Sequence, residues 1–124
     1  MARVLVVDDD PDTRLLARTL LTHAGHAVVE VADGTEAIAC ARRERPDLIL
    51  FDLAMPGMSG TELVRAVRAD AELRATPLAL YTATPLDSAL LDFMEIYTVG
   101  CAIPKPSEPP EFLAAVQRAL ARSG

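Results

Sequence analysis

The sequence lacks several patterns that define whole classes of protein. Its two cysteines, Cys40 and Cys101, show no CxxC or His-paired metal spacing, which favours reduced thiols in a cytoplasmic protein. No apolar stretch approaches the roughly 18–20 residues that span a bilayer. The apolar run in MARVLVVDDD is too short for a signal peptide, and acidic residues follow it directly. We therefore expect a cytoplasmic chain with no membrane segment.

Basic residues form no block anywhere in the chain. The net charge is −6, which argues against direct binding of nucleic acid, because that requires a basic surface. Lysine is almost absent, since Lys105 is the only one. A chain of 124 residues, 51% apolar and 24% charged, is long enough for one domain with a core and too short for two. The sequence thus predicts a single domain over residues 1–124.

Short β-branched runs alternate with helical patterns along the chain. The runs typical of strands lie at 3–7, 26–32, 47–53, 77–83 and 101–105. The patterns typical of helices lie at 11–24, 35–45, 60–73, 86–98 and 110–122. Several strand segments are almost continuously apolar, as in parallel strands covered on both faces. Five β–α repeats with short connections predict an α/β fold with an open, doubly wound parallel sheet.

The first helical segment carries a start signal and an apolar stripe. Asp10 is suited to the N-cap, and Pro11 to the first helical position. Helical spacing places four apolar residues together, and we expect them to face the core: Leu15, Leu16, Leu20 and Ala24.

Polar side chains follow four of the predicted strands. Asp8 and Asp9 follow the first, and Asp52 follows the third. Thr82 ends the fourth strand and Lys105 ends the fifth. Because ligands of such sheets bind at the carboxyl ends of the strands, we expect these side chains to converge on one edge.

The residue types at this edge suit phosphoryl chemistry. Crowded carboxylates raise each other's pKa unless a cation neutralises them, and Mg²⁺ takes one or two carboxylates together with water and phosphate oxygens. An aspartate can act as nucleophile and form an acyl phosphate. An ammonium and a hydroxyl can stabilise the transferring oxygens. The set therefore predicts a Mg²⁺-dependent phosphoryl site.

Four segments, VLVVDDDPD, PDLILFDLAMPGMSG, LYTA and KP, carry a family resemblance. In this order and spacing, over essentially the whole chain, they resemble receiver domains of two-component response regulators, the CheY-like family. The resemblance implies a flavodoxin-like (βα)5 fold with strand order 2-1-3-4-5. It also implies a phosphorelay switch that takes its phosphoryl group from a sensor histidine kinase or phosphotransfer protein, and that is not a turnover enzyme.

The resemblance gives each site residue a role. It implies that Asp52 is the phosphoacceptor, that Thr82 hydrogen-bonds the phosphoryl group and that Lys105 pairs with it. It implies that Ala83 leaves space for that group. The bond between Lys105 and Pro106 is similar to one that is often cis in this family.

A magnesium site follows from the same resemblance. Asp8 and Asp9 are implied to hold the ion, directly or through water. Asp52 and the main-chain carbonyl of Ala54 are the further implied ligands. Asp10 is better explained as the N-cap.

Two alternatives come from other classes of protein, and the sequence argues against both. A phosphohydrolase of the haloacid dehalogenase type requires DxDx[TV] after the first strand. Asp8 and Asp10 have that spacing, but Asp12 occupies the final position. A degenerate receiver that serves only as a binding module would lack one of the site residues, and none is missing. A dinucleotide-binding domain is excluded, because DDDPD contains no Gly-rich turn.

The departures from the family pattern concern output. Receivers commonly carry Tyr or Phe three residues before the lysine, where this chain has Ala102. The helical segment 86–98 is unusually apolar. We predict that its Leu90, Phe93 and Tyr97 face binds an output partner or a second copy of the domain. Extra core packing that compensates for the small residues of the fifth strand is the alternative.

Overall fold

The structure is a computed structural model that describes residues 1–121. Five parallel strands form one sheet in the order β2-β1-β3-β4-β5. The strands are β1 (Arg3–Val7), β2 (Ala27–Val31), β3 (Leu48–Phe51), β4 (Leu78–Thr82) and β5 (Cys101–Pro104). The helices are α1 (Pro11–His23), α2 (Gly34–Glu44), α3 (Gly60–Ala69), α4 (Ser88–Ile96) and α5 (Pro109–Ala121). The predicted α/β fold and its strand order are confirmed.

The sheet separates two apolar clusters, because successive strand residues point to opposite faces. Leu5 of β1 lies in the cluster that α2, α3 and α4 cover, and Val6 lies in the cluster that α1 and α5 cover. The central strands are buried on both faces, which explains their continuous apolar runs. Within residues 1–121, no helix has both the length and the apolar character to cross a membrane.

Two helices differ from the predicted bounds by two or more residues, and an aspartate caps one end of each. α3 ends at Ala69 and not at residue 73, since Asp70 leaves the helical conformation and accepts the backbone N–H of Glu72 at 2.8 Å. α4 begins after residue 86, because the Asp87 side chain caps it by accepting the Leu90 N–H at 2.8 Å. Residue 122, the predicted end of the last helix, lies outside the described residues.

The predicted inner face of α1 is right only for Leu20, which is partly buried against the core, whereas Ala24 is exposed. Ala17 and Leu21 are fully buried against the sheet, whereas Leu15 and Leu16 are 52% and 48% exposed. The small side chain of Ala17 lets the helix approach the strands closely. A pattern that is judged by its large apolar residues does not reveal this contact. The predicted cap is confirmed, since Asp10 accepts the Asp12 N–H at 3.2 Å.

The face of α4 that is predicted to bind a partner also contributes to the core. Leu90, Phe93 and Tyr97 are partly buried and pack against the core. Phe93 and Tyr97 contact each other with ring centroids 4.7 Å apart, and the Arg65 guanidinium of α3 lies 5.5 Å from the Phe93 centroid. These contacts match the alternative, in which the residues add to core packing. The exposed large apolar side chains here are Leu86, Leu91 and Ile96.

Arg68 of α3 fixes the carboxyl end of α4. Its guanidinium donates to the carbonyls of Tyr97 at 2.7 Å and Thr98 at 2.8 Å. It also donates to the carbonyls of Arg74 at 2.9 Å and Thr76 at 2.7 Å, in the connection before β4. Thr98 has φ 56°, a conformation that β-branched residues rarely adopt. Arg68 therefore holds a strained turn in place.

Strand β5 forms one edge of the sheet and pairs with β4. Its last residue, Pro104, lies opposite Thr82. The backbone N–H of Lys105 then donates to the Thr82 carbonyl at 3.0 Å. The Lys105–Pro106 peptide bond is cis, as the resemblance implies. The backbone thus turns sharply just beyond the strand end that carries Lys105.

Candidate functional site

The carboxyl ends of β1, β3 and β5 bring Asp8, Asp52 and Lys105 into direct contact. Lys105 Nζ donates to Asp8 Oδ2 and to Asp52 Oδ2, each at 2.8 Å. The three side chains are 4%, 14% and 17% exposed, with Asp8 the most buried. We call this group the ion-pair triad. A single ammonium thus holds together two carboxylates that would otherwise repel each other.

Hydrogen bonds hold Asp8 on every side. Its backbone N–H donates to the Val31 carbonyl at 3.2 Å, and its Oδ1 accepts the Asp10 N–H at 2.9 Å. Its own carbonyl accepts a hydrogen bond from the Arg14 guanidinium at 2.7 Å. Lys105 occupies Oδ2. Since a buried carboxylate is tolerated only when it is hydrogen-bonded, these contacts explain how Asp8 can be 2% exposed.

Asp52 is fixed by its backbone and remains more accessible than Asp8. Its Oδ1 accepts the Leu53 N–H at 2.7 Å, and its backbone N–H donates to the Val7 carbonyl at 3.3 Å. Gly60, the first residue of α3, packs directly on it, because a Cβ atom there would overlap the Asp52 carbonyl. Position 60 must therefore be glycine for α3 to begin against the strand end.

The Lys105 ammonium stays protonated in this environment. Burial lowers the pKa of Lys105, but the hydrogen bonds to Asp52 and Asp8 outweigh burial and raise the pKa above its ordinary value. Lys105 Nζ also lies 5.3 Å from the ring centroid of Tyr81, which packs against Phe112. The site therefore carries one fixed positive charge at neutral pH.

Thr82 is buried at the end of β4, and its hydroxyl accepts the Thr84 backbone N–H at 3.1 Å. A hydroxyl that accepts one bond can still donate another, so Thr82 keeps a donor for a ligand. A cavity of about 250 Å³ begins beside it, lined in part by Leu86, Ala102 and Lys105. The small side chain of Ala102 leaves this space open.

The remaining predicted metal ligands lie at the surface. Asp9 and Ala54 are exposed, directly after Asp8 and two residues after Asp52. Residues 1–121 contain no group of three or more His, Cys, Asp or Glu side chains arranged to hold a metal ion. The structure thus joins Asp8 and Asp52 through Lys105 and leaves Asp9 outside the ion-pair triad. The magnesium site stays a prediction.

Sequence reasoning missed Arg14, which contacts the Asp8 carbonyl and pairs with Glu30 of β2 at 3.5 Å. One signal could have identified it. Arg14 lies at the end of the first turn of α1, where the helix dipole disfavours a cation. A cation in that position needs a negative or carbonyl partner, and the end of β1 supplies one.

The chain matches a known family over most of its length. Residues 4–117 match the response regulator receiver domain. The DNA-binding response regulator MtrA of Mycolicibacterium smegmatis is 34% identical over 126 residues, which cover 98% of this chain and 51% of MtrA. The chain therefore spans about half the length of that relative.

Solved structures give the same assignment. The chemotaxis protein CheY4 of Vibrio cholerae superposes with a TM-score of 0.89 at 34% identity, covering 96% of this chain and 98% of CheY4. The receiver domain of a sensor histidine kinase of Pseudomonas aeruginosa PAO1, described with a magnesium ion coordinated in its active-site cleft, has a TM-score of 0.85 at 28% identity, over 97% and 98% of the two chains. Sequence and fold together place this chain in the family of receiver domains of two-component response regulators.

Proposed function

We propose that Asp52 accepts a phosphoryl group from the phosphohistidine of a sensor histidine kinase or phosphotransfer protein. One Asp52 carboxylate oxygen attacks phosphorus, so that a P–O bond forms. The P–N bond breaks, and the donor imidazole leaves with the electron pair. The observation that carries this proposal is the ion-pair triad, in which Lys105 holds an accessible Asp52 at 2.8 Å at the carboxyl edge of the sheet.

Lys105 and Thr82 provide for the charge that transfer brings. The Lys105 ammonium, already bonded to Asp52, can shift to a phosphoryl oxygen with little movement. The Thr82 hydroxyl can donate to a second oxygen. Such preorganised donors stabilise the transferring group because they need little reorientation. Ala83 is small and exposed, which leaves space on this side.

The donor chemistry of this edge fits Mg²⁺, since every implied ligand is a hard oxygen. The carboxylates of Asp8, Asp9 and Asp52 and the main-chain carbonyl of Ala54 would hold the ion. When bound, the metal would share the negative charge of the phosphoryl oxygens. The magnesium ion described in the Pseudomonas aeruginosa receiver domain supports this assignment.

The proposed activity is a switch. The chain promotes its own phosphorylation and its own slow dephosphorylation, and the modified state changes the binding of a partner or a second copy through the 86–98 segment. Direct contact with nucleic acid or membrane is not part of the proposal. The cytoplasmic location stays a prediction.

The haloacid-dehalogenase alternative loses support from the position of Asp10. That mechanism requires the second aspartate of its motif as a general acid. Here Asp10 caps α1, and the hydrogen bond from Thr13 Oγ1 at 2.7 Å holds the pKa of Asp10 below its ordinary value. A general acid needs a pKa raised towards the working pH.

Acetyl phosphate with Mg²⁺, followed by borohydride reduction and mass spectrometry, tests the proposal. We expect one adduct, on Asp52. Asp52→Asn should abolish it, whereas Asp92→Asn, which removes an exposed carboxylate of α4, should leave it unchanged. Label on another aspartate, or label that survives Asp52→Asn, would show that the acceptor is wrong.

A further inference from the structure

The Arg14 guanidinium connects the site to the neighbouring strand. Its NH1 donates to the Asp8 carbonyl at 2.7 Å, and its Nε lies 3.5 Å from Glu30 Oε1. The other oxygen of Glu30 pairs with Arg18 NH1 at 3.1 Å. The Arg14 and Glu30 side chains are only 20% and 24% exposed. Arg14 of α1 and Glu30 of β2 together therefore hold the backbone carbonyl of Asp8, the residue that follows β1.

That carbonyl belongs to the peptide group that joins Asp8 to Asp9. Holding it fixes the plane of this peptide group, and with it the position of the Asp9 Cα atom from which the carboxylate extends. Asp8 has further anchors in the Asp10 N–H and Lys105. Asp9 is exposed, and no side-chain contact of comparable strength orients it among the described residues. The position of its carboxylate depends on the backbone that Arg14 holds.

Glu30 also determines which group the positively charged Arg14 guanidinium contacts. Without Glu30, the guanidinium would be drawn towards the carboxylates of Asp9 and Asp10 and would compete with any cation there. Paired with Glu30 through Nε, Arg14 offers an NH1 donor to a neutral carbonyl. The charge of the acidic pair, Asp8 and Asp9, stays available to an incoming ion.

We infer that Arg14, oriented by Glu30, is a positioning residue that presents the acidic pair to a divalent cation. The inference rests on the proposed function, because it concerns the same site. Partners in the shell around metal ligands typically change metal affinity by about 10–100-fold. Arg14 acts at the backbone between two proposed ligands, so its loss should fall in that range.

The experiment titrates the full chain with Mg²⁺ alone and follows backbone amide shifts by NMR. We expect Arg14→Met to weaken Mg²⁺ binding about tenfold, and Glu30→Gln to weaken it in the same direction. Arg14→Lys should restore part of the affinity. Arg18→Met removes the same charge from α1 and keeps the Arg14–Asp8 contact, so its affinity should stay within about twofold of wild type.

The metal-free spectra separate positioning from general stability. In Arg14→Met, the Asp9 and Asp10 amides should shift without metal, while the core amides of β3 and β4 keep their wild-type positions. If Arg14→Met does not fold, Glu30→Gln carries the test alone. If either Arg14→Met or Glu30→Gln binds Mg²⁺ as tightly as the control Arg18→Met does, the inference is overturned and the proposed function stands. A wild-type chain that binds no Mg²⁺ and is not labelled on Asp52 overturns both.

Discussion

The Thr82 hydroxyl oxygen lies 3.1 Å from the Thr84 backbone nitrogen and accepts its N–H. The hydroxyl proposed to recognise the phosphoryl group is thus bonded to the loop that leads into α4. Every residue from 83 to 89 is exposed, so few packing contacts resist movement of this loop. A shift of the Thr82 hydroxyl towards Asp52 would therefore change the hydrogen bond of the Thr84 N–H first.

Thr82→Val should separate phosphorylation from this response. Beryllofluoride, a stable mimic of the phosphoryl group, should shift the backbone amide NMR signals of Thr84 and Leu86 in the wild type. We expect these shifts to be smaller in Thr82→Val, because the acceptor for the Thr84 N–H is gone. Thr82→Ser should keep them. The lost hydrogen bond should cost about 1 kcal/mol in the free energy of unfolding. Equal loop shifts in Thr82→Val and wild type would show that the hydroxyl does not couple the loop to the site.

Lys105→Met should destabilise the fold, because the Lys105 ammonium offsets the repulsion between the carboxylates of Asp8 and Asp52. Asp8 is 2% exposed, so its charge cannot be solvated when the lysine is removed. We expect the free energy of unfolding to fall by about 1–3 kcal/mol, less than for a fully buried pair because Lys105 is partly accessible. Mg²⁺ should raise the melting temperature of this variant more than that of wild type. An equal rise in both would argue against a shared cation site.

The same variant gives a pH prediction. The pKa of Lys105 is raised above 10.5 in the folded chain, so its stabilisation is complete below the unfolded pKa and is lost as pH rises through the folded one. The difference in unfolding free energy between wild type and Lys105→Met should therefore stay constant between about pH 7 and 9 and shrink only as the pH rises past the ordinary lysine pKa of 10.5. A difference that already falls below pH 9 would contradict this.

Substitutions on α4 should separate its inner face from its outer face. Phe93→Asp places a charge among core contacts and should cost about 3 kcal/mol in unfolding free energy. Ile96→Asp, at a position that is 73% exposed, should stay within about 0.5 kcal/mol of wild type. Denaturant titration measures both. A loss of partner binding can be assigned to the surface only for Ile96→Asp or Leu91→Asp.

Arg68→Met should loosen the carboxyl end of α4. Burial lowers the pKa of Arg68, and four backbone carbonyls lose their donor when the guanidinium is removed. We expect a loss of about 2–4 kcal/mol in unfolding free energy, with faster amide exchange at residues 97–99. Arg74→Met, at an exposed position, is the matched control. Unchanged exchange at residues 97–99 would contradict the proposed anchor.

Much of the fold and of the central site could be predicted from the sequence. Parallel strands that alternate with helices leave few arrangements, and a polar residue at the end of a buried strand is placed by the fold itself. Asp8, Asp52 and Lys105 meet because their strands end at one edge of the sheet. The alternation of strands and helices therefore predicts where these three residues lie.

Side-chain contacts away from the carboxyl edge of the sheet could not be predicted. The apolar pattern of α4 looked like a free surface, because nothing in a single sequence pairs Phe93 with Arg65 of α3. In α1, Leu15 and Leu16 outweighed the small Ala17 in the pattern, although Ala17 is the residue that fits against the sheet. Arg14 was missed because its contact at the site is a backbone carbonyl, which residue identity does not reveal, so that only its place in the first turn of α1 could have indicated the contact.

Pro104 bears on how this protein behaves at high concentration. Lys105 directs its N–H inward to β4, and alternate residues of a strand face opposite sides in the ladder, so the Pro104 nitrogen faces the open side of β5. Proline has no N–H, and a foreign strand that attempted to extend the sheet there would find one rung missing. Replacing Pro104 with a β-branched residue would restore that rung and make edge-to-edge aggregation easier.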